Sequence, residues 1–366
     1  GQARPPQRRR QDDGGGQKGL GRRPAPRPAP GPPPGPGDFC AAAHGRRAIL
    51  RPGGTVLKQK MLFQAVLPWI AYFNICFFWG TSTVANKLGS TSMHPLMVGA
   101  VRFTVTTLLI ALAAAARGVP LRITRRDWKT LGTGSFLMYF LNTLLVLFAA
   151  VRVDASISTI VLCLIPVGLV LVDSLAQRHF DVGPPGVIGM AGGFAGVVIA
   201  SASGLLGGGA DIGGITLLLA SVCVWSVGTI YLKNRTVEAP FILQIFVQSA
   251  VPAAAFLLTA LFTGTLRPST LNLGGVLPAV YMGVADSIIG LGSYMYLLKR
   301  WPTSVVSTYA YINPIVGLMM SHLVLHESMN AQKMAGAAVI LFSVLLIRED
   351  GRLTAWLRAR RRAKAG

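Results

Sequence analysis

An apolar region that carries one pattern twice is the feature that most limits the folds open to this chain. Between residues 61 and 347, equivalent positions recur at an offset of about 146 to 148 residues. Trp79 precedes Lys87 by eight residues, and Trp225 precedes Lys233 by the same eight. Two related halves in an apolar chain are typical of membrane proteins that open one shared site alternately to either side of the bilayer.

Prolines extend this repeat. Pro95 opens the next apolar segment of the first half, and Pro240 opens its counterpart. Two further matches each consist of an Arg followed fourteen residues later by a Pro: Arg152 with Pro166, and Arg300 with Pro314. Because proline inside a helix bends it, Pro166 and Pro314 are expected to bend their helices around a central cavity.

Ten stretches are apolar and reach roughly the 20 residues needed to span the hydrocarbon of a bilayer. They are 65–85, 96–116, 131–151, 155–175, 186–204, 213–232, 241–263, 275–298, 302–324 and 331–348. Short connections make most neighbouring helices antiparallel and leave little chain for a soluble domain. The sequence therefore predicts an all-α integral membrane protein with ten transmembrane helices, five in each repeat.

Lysine and arginine are divided unequally between the two sets of loops, which indicates orientation. One set holds Arg117, Arg122, Arg125, Arg126, Lys129, Arg178, Lys233, Arg235, Lys299 and Arg300. The opposite set holds Arg152, Arg267 and Lys333, with Lys87 near the end of its helix. Both termini fall on the richer side and are predicted to be cytoplasmic. Since five spans per half is an odd number, the second repeat is predicted to be inverted relative to the first.

Much of the net charge of +22 lies at the ends of the chain. Residues 1–60 hold thirteen Lys and Arg against three Asp, in Pro- and Gly-rich sequence that is predicted to be disordered. Met61 is the expected natural start; a basic tail lying on anionic lipid is the alternative. Because the basic residues flank an apolar body, no nucleic acid is expected as a partner.

These observations divide the chain into five regions. They are a tail at 1–60, a first repeat at 61–204, a Gly-rich linker at 205–212, a second repeat at 213–348 and a basic cytoplasmic tail at 349–366.

Small residues recur along the fifth predicted span, at Gly189, Gly192, Gly193 and Gly196. This spacing lets helices approach closely. Packing within the chain is the favoured interpretation, and a homodimer face is the alternative.

Residues 77–103 (FFWGTSTVANKLGSTSMHPLMVGAVRF) and 307–347 (STYAYINPIVGLMMSHLVLHESMNAQKMAGAAVILFSVLLI) carry a resemblance to a known family. The chain resembles an EamA-type member of the drug/metabolite transporter superfamily. In such repeats a Pro-containing helix leads to an acidic turn and a Gly-containing helix, and Pro314, Glu327 and Gly336 match those places. The position of the first half that matches Glu327 lies near His179, in AQRHF, and is not acidic, so Glu327 is carried over only as a structural residue.

The resemblance implies a ten-helix carrier, often a proton-driven exporter of small metabolites, amino acids or toxic compounds. It places an arginine at Arg102 across members with different substrates, which favours a structural role for that residue. The alternative is that Arg102 clamps a carboxylate or phosphate of the substrate through its planar guanidinium.

Asp286 is the most informative ionisable residue, because it lies midway along a predicted span. Ionisable groups inside a membrane need a partner, a water-lined cavity or an interface. Asp286 is predicted to gain and lose a proton during transport; a fixed pair with Arg102 is the structural alternative. Lys87 and Lys233 lie near helix ends, where snorkelling is favoured over alternate gating.

A carrier pocket also needs polar and aromatic side chains that replace water around its substrate. The predicted cavity residues, besides Arg102, are Trp79, Ser82, Asn142, Trp225, Gln248, Tyr294, Thr308, Tyr309, Tyr311 and Asn313.

Cofactor and metal sites are not predicted. The four cysteines show no CxxC or CxxH spacing, and His322 and His326 beside Glu327 do not form a His-Glu-x-x-His motif.

Three functions fit to different degrees. A secondary exporter of a small metabolite is favoured, acting in the lipid bilayer without covalent chemistry. An antiporter of sugar phosphates or nucleotide sugars needs several deep basic residues, and only Arg102 qualifies. A membrane-embedded enzyme or scaffold is the third, but no catalytic motif appears in the spans.

Overall fold

The computed structural model describes residues 54–120, 122–178, 182–207, 211–306, 308–352, 354 and 356. The chain divides into two compact units, Gly1–Leu57 and Lys58–Gly366. Described residues of the first unit form the start of a helix, and the second unit holds the rest of the fold. Residues 1–53 of the predicted tail, His179, residues 208–210 of the predicted linker and most of the C-terminal tail lie outside the described residues.

The described residues form helices joined by short connections. The α-helices are α1 (Gly54–Ser92), α2 (Pro95–Ala116), α3 (Arg125–Ser135), α4 (Asn142–Ala150), α5 (Ala155–Leu162), α6 (Ile165–Gln177), α7 (Pro184–Gly207), α8 (Ile212–Lys233), α9 (Phe241–Phe262), α10 (Leu273–Tyr281), α11 (Leu291–Leu298), α12 (Thr303–Val306), α13 (Tyr309–Leu325) and α14 (Ala331–Arg348). Two π-helical segments, Phe136–Leu141 and Met282–Gly290, join α3 to α4 and α10 to α11.

Helix starts follow from local sequence. Asp211, Asn272 and Asn330 each accept a hydrogen bond from the backbone N–H three residues later, which satisfies a free donor of the first turn. Pro95 and Pro166 lie in the first turn of α2 and α6, where a missing N–H is harmless. Pro314, by contrast, lies inside α13.

Within the described residues, eight helical stretches are long and apolar enough to cross a membrane. They are Pro95–Ala116, Arg125–Ala150, Ala155–Gln177, Pro184–Ala202, Ile212–Lys233, Phe241–Phe262, Leu273–Leu298 and Ala331–Arg348. Each coincides with a predicted span. The other two predicted spans fall on α1 and on α13, an apolar helix of 17 residues.

The first helix begins earlier than the sequence interpretation placed it. Residues 54–60, assigned to the tail, are helical and continue into the apolar segment. Residues 54–60 contain no proline, and Leu57, Lys58, Gln59 and Lys60 are favourable helix residues, which allows the helix to continue on this side of the apolar segment.

Close packing between α7 and α14 uses the glycine stripe. A Cβ atom on Gly189 would lie 2.7 Å from the Ser343 carbonyl oxygen, and one on Gly336 would lie 2.6 Å from the Gly196 carbonyl oxygen. The repeat offset of 147 residues relates Gly189 to Gly336 and Gly196 to Ser343, so these two close contacts are repeat counterparts of each other. The stripe therefore serves packing within the chain.

Candidate functional site

Both π-helical segments occur at equivalent places in the two halves. Phe136–Leu141 follows α3, and Met282–Gly290 follows α10, its counterpart. A π-helical turn widens the helix and is frequent at functional sites. Two side-chain contacts between the repeats involve these segments.

The first contact is an ion pair between Arg102 of α2 and Asp286 of the second π-helical segment. Arg102 Nη2 lies 2.5 Å from Asp286 Oδ2, and the same nitrogen donates to Ser287 Oγ at 3.3 Å. The side chains are 12% and 13% exposed, so the pair is largely enclosed but not sealed. Among described groups, the buried Arg102 Nε has no hydrogen-bond partner.

The second contact is the counterpart of the first. Tyr139 Oη, in the first π-helical segment, donates to Gln248 Oε1 of α9 at 3.5 Å. An offset of 147 relates Tyr139 to Asp286, and one of 146 relates Arg102 to Gln248. The two contacts therefore join equivalent pairs of positions, and each repeat contributes the opposite member of the pair, as residues do across an isologous twofold interface. One contact is charged and the other is neutral.

The two repeat tryptophans lie against these same positions. Trp79 Nε1 donates to the carbonyl oxygen of Asp286 at 3.1 Å. Trp225 contacts Tyr139 with ring centroids 6.0 Å apart. Each tryptophan therefore packs on the π-helical segment of the repeat to which it does not belong.

Three aromatic rings form a cluster beside the ion pair, which we name the aromatic triangle (Trp79, Tyr294, Tyr309). The ring centroids are 5.5 Å apart for Trp79 and Tyr294, 5.0 Å for Trp79 and Tyr309, and 5.8 Å for the two tyrosines. Two of these pairs are edge-on and the Trp79–Tyr294 pair is tilted, so none of them is a face-to-face stack. The triangle joins α1, α11 and α13 at the level of Asp286.

Other predicted cavity residues connect α1 to the second half. Thr308 lies 2.5 Å from the Tyr72 hydroxyl, and Asn313 has its amide nitrogen within donor reach of the Cys76 carbonyl oxygen at 3.2 Å. Ser82 donates to the Trp79 carbonyl oxygen at 2.8 Å within α1. Asn142 is half-buried and begins α4 directly after the first π-helical segment.

Tyr311 lies apart from this group. Arg348, at the end of α14, donates to the Tyr311 hydroxyl at 3.2 Å and also contacts its ring. The structure therefore brings together Arg102, Asp286 and the aromatic triangle, but it places Tyr311 with Arg348.

A second polar group surrounds the start of α5, and we name it the α5-start cluster (Lys87, Asp154, Glu327, Lys333). Glu327 accepts hydrogen bonds from the backbone N–H groups of Ala155 at 2.6 Å and Ser156 at 2.9 Å. A carboxylate here satisfies free donors of the first turn and favours the positive end of the helix dipole.

Two lysines complete the α5-start cluster. Lys333 Nζ lies 2.8 Å from Asp154 Oδ2, and only 2% of its side chain is exposed. Lys87 Nζ donates to the Val153 carbonyl oxygen at 2.8 Å. The cluster thereby ties the last turns of α1, the start of α5 and the start of α14 together.

Lys233, the repeat counterpart of Lys87, has a different partner. It forms an ion pair with Asp173 of α6 at 2.9 Å. The pair joins α6 to α8, while Arg178 ends α6 in a left-handed conformation with φ 51°.

Sequence reasoning missed Tyr139, Asp154 and Lys333 as interacting residues. Tyr139 was detectable, since the repeat offset places it at the position of Asp286. Asp154 and Lys333 lie 179 residues apart, at helix ends where charged residues are ordinary, so no local pattern marked them.

His322 is held by a backbone contact, with Nδ1 2.9 Å from the Glu327 carbonyl oxygen. Within the residues that the structure describes, no group of three or more His, Cys, Asp or Glu side chains is arranged to hold a metal ion.

Comparison with known families settles the class of protein. The EamA-like transporter family matches the chain twice, over residues 67–202 and 212–348. The chain belongs to the EamA-like transporter family. This EamA-family protein is an integral, multi-pass protein of the cell membrane, and its two family matches coincide with the two sequence repeats.

Individual relatives of this EamA-family protein are more distant. It is 24% identical over 290 residues to "Uncharacterized inner membrane transporter YedA" of Escherichia coli K12, covering 78% of this chain and 92% of that one. It is 26% identical over 282 residues to "Probable amino-acid metabolite efflux pump" of Salmonella typhimurium, covering 72% and 88%.

The fold of this EamA-family protein is also found in a solved structure. A crystal structure with 21% sequence identity aligns with a TM-score of 0.55, covering 78% of this chain and 97% of that chain. At this identity the similarity concerns the fold alone.

Proposed function

We propose that this EamA-family transporter exports a small metabolite by alternating access, and that proton binding at Asp286 couples export to the proton gradient. The observation that carries the proposal is the Arg102–Asp286 ion pair, which joins the two repeats inside the apolar body. A carboxylate that exchanges its arginine partner for a proton changes the charge of the site, and a change in charge can bias one conformation over the other.

The surroundings of the ion pair fit a polar or amphipathic substrate. The buried Arg102 Nε has no partner among the described residues and could donate to a substrate oxygen or to water once the site opens. The aromatic triangle offers ring faces and edges beside Asp286. A pocket with a few polar groups on an aromatic wall orients a small ligand. The similarity to a protein named as a probable amino-acid metabolite efflux pump supports a solute of this size.

The proposed substrate cavity contains all but one of the predicted residues. Its members are Trp79, Ser82, Arg102, Asn142, Trp225, Gln248, Tyr294, Thr308, Tyr309 and Asn313, with Tyr139 added from the exchanged contact. Tyr311, which contacts Arg348, is left out.

The proposed architecture has ten transmembrane helices in two inverted repeats, with both termini cytoplasmic. Adding α1 and α13 to the eight long apolar stretches gives ten. A helix of 17 residues is at the short end of what spans a bilayer. A twofold relation of the repeats is supported by two sets of equivalent contacts. One set joins the π-helical segments to α2 and α9, and the other joins α7 to α14.

In this orientation the α5-start cluster lies at the outer end of the protein. Its ion pair and helix cap hold α1, α5 and α14 together there. We propose that the cluster closes the outer side and must separate for release of substrate. Lys87 and Lys233 then act at opposite ends, Lys87 in the outer cluster and Lys233 in the inner pair with Asp173.

Reconstituted vesicles test the proposal. Purified protein in liposomes is loaded with a panel of amino acids and amphipathic metabolites, and efflux is measured with and without an imposed pH gradient. Efflux that the gradient accelerates supports proton-coupled export. Efflux only in exchange for external solute would point to an antiporter, and absence of flux for every compound would contradict the proposed function.

A further inference from the structure

A cavity of about 610 Å³ lies away from the ion pair, between α3, α6 and the end of α8. Two of its lining residues are arginines from different elements: Arg126 in the first turn of α3 and Arg235 directly after α8. Its apolar lining residues include Val172, Val227 and Ile230. The cavity therefore combines a cationic rim with an apolar wall.

Both arginines are held in place by neighbours. Arg126 Nη2 donates to the Thr236 hydroxyl at 3.3 Å. Arg235 lies over the ring of Tyr231, with its guanidinium carbon 4.3 Å from the ring centroid. Guanidinium groups that are already oriented bind phosphate oxygens with less loss of side-chain freedom.

Acidic residues do not neutralise this rim. Among the described residues that line the cavity, none is acidic. Asp173, on the adjacent turn of α6, is engaged by Lys233 at 2.9 Å. Asp127, next to Arg126, has a side chain that is only 3% exposed. The cavity is consequently suited to an anion.

The cavity lies on the outside of the helix bundle. Ile212, Thr216, Cys223 and Val227 are exposed residues of α8 that fall within about 60° of one another around the helix axis. This stripe runs along the helix to the cavity. Trp225, which contacts Tyr139 at the repeat interface, lies about 180° away on the same helix. In a membrane protein, the exposed apolar stripe faces the acyl chains.

The flanks of α8 confirm this direction. Gly228 packs against Met138 of the first π-helical segment, and Ser226 packs against Gly168 of α6. With both flanks occupied and Trp225 facing the interior, the remaining face is the one that carries Val227. A ligand of this cavity therefore reaches it from the bilayer.

We propose that this cavity binds the headgroup of an anionic phospholipid. The phosphate lies between Arg126 and Arg235 at the interface, and an acyl chain follows Val227 and the exposed stripe of α8. Basic pockets between helices at the membrane surface are suited to such headgroups. This site is separate from the proposed substrate cavity and does not depend on transport.

Native mass spectrometry of the purified full-length protein tests the site, with phosphatidylglycerol and phosphatidylcholine as probes. We expect phosphatidylglycerol to bind more tightly than phosphatidylcholine. The double variant Arg126→Gln/Arg235→Gln should raise the Kd for phosphatidylglycerol by about tenfold or more. The matched control, Arg117→Gln/Arg122→Gln, removes the same charge from the same set of loops outside the cavity. It should change Kd by less than about twofold.

Other outcomes overturn the proposal. An equal loss of phosphatidylglycerol binding in both double variants would indicate an effect of diffuse surface charge. Phosphatidylcholine that binds as tightly as phosphatidylglycerol would exclude recognition of the headgroup. Displacement of phosphatidylglycerol by inorganic phosphate alone would assign the site to a free anion. Should the arginine variant fail to fold, Val227→Trp obstructs the apolar wall with both arginines intact. It is expected to weaken phosphatidylglycerol binding, and unchanged binding would also overturn the proposal.

Discussion

At the scale of the residue, the ion pair between Arg102 and Asp286 has a specific role in the proposed cycle. Asp286→Asn keeps the size of the side chain but removes its titration. We expect efflux from vesicles to lose its response to a pH gradient, with gradient-driven flux reduced by about tenfold or more. Downhill flux without a gradient should persist.

Glu349→Gln is the control for Asp286→Asn. It removes another paired carboxylate, directly after α14, where the Arg352 side chain is 87% exposed. Exposed pairs contribute little to stability, so flux and its pH response should remain close to those of the intact protein. A normal pH response in Asp286→Asn would contradict the coupling role.

The buried lysine of the α5-start cluster gives a second prediction at this scale. Lys333→Met leaves Asp154 without its partner and should lower the free energy of unfolding by about 2 kcal/mol. The double variant Asp154→Leu/Lys333→Met should recover much of that loss, because no charge is left uncompensated. Denaturant unfolding in mild detergent measures the free energy of unfolding of the two single variants and the double variant. If the losses of the single variants add up in the double variant, the two residues are not coupled.

At the scale of the element, the packing of α7 on α14 depends on glycine. A methyl group on Gly336 would lie 2.6 Å from both the Ala200 side chain and the Gly196 carbonyl oxygen. Since backbone lies on the opposing side, the helices must separate. We expect Gly336→Ala to lower stability by about 1–3 kcal/mol, measured by thermal or denaturant unfolding.

Gly292→Ala is the matched control on α11. A Cβ atom there would meet no described atom within 4 Å. Because alanine favours helix over glycine, this change should be neutral or stabilise by up to about 1 kcal/mol. Equal destabilisation by the two substitutions would show that the close approach of α7 and α14 is not the cause.

Most helices follow from the sequence because their apolar lengths and capping residues are local signals. The π-helical segments do not, since one added residue in a helical turn leaves the apolar pattern of FLMYFL and MGVADSIIG almost unchanged. The sequence interpretation placed the start of α1 too late, because the helix continues on the N-terminal side of the apolar segment, back to Gly54.

At the scale of the whole molecule, the repeat is the property that sequence revealed best. Its offset relates the two π-helical segments and identifies the Tyr139–Gln248 contact as the counterpart of Arg102–Asp286. From the sequence, a pair of Asp286 with Arg102 was the structural alternative, and the structure shows their contact. It did not predict the α5-start cluster, which depends on how three distant helix ends meet.

The most direct test of the account measures distances at both ends of the protein by double electron–electron resonance. Spin labels are attached to cysteines introduced at exposed positions, in a background with the native cysteines replaced. One pair, Val151→Cys with Gln332→Cys, reports on the end that holds the α5-start cluster. The other pair, Leu175→Cys with Lys299→Cys, reports on the opposite end.

Each pair is measured with Asp286 intact and with Asp286→Asn. Loss of the ion pair should favour the alternative conformation, so the first distance should lengthen while the second shortens. Opposite shifts at the two ends are what alternating access by two repeats predicts. If both distances stay unchanged, or both move in the same direction, the central claim is contradicted.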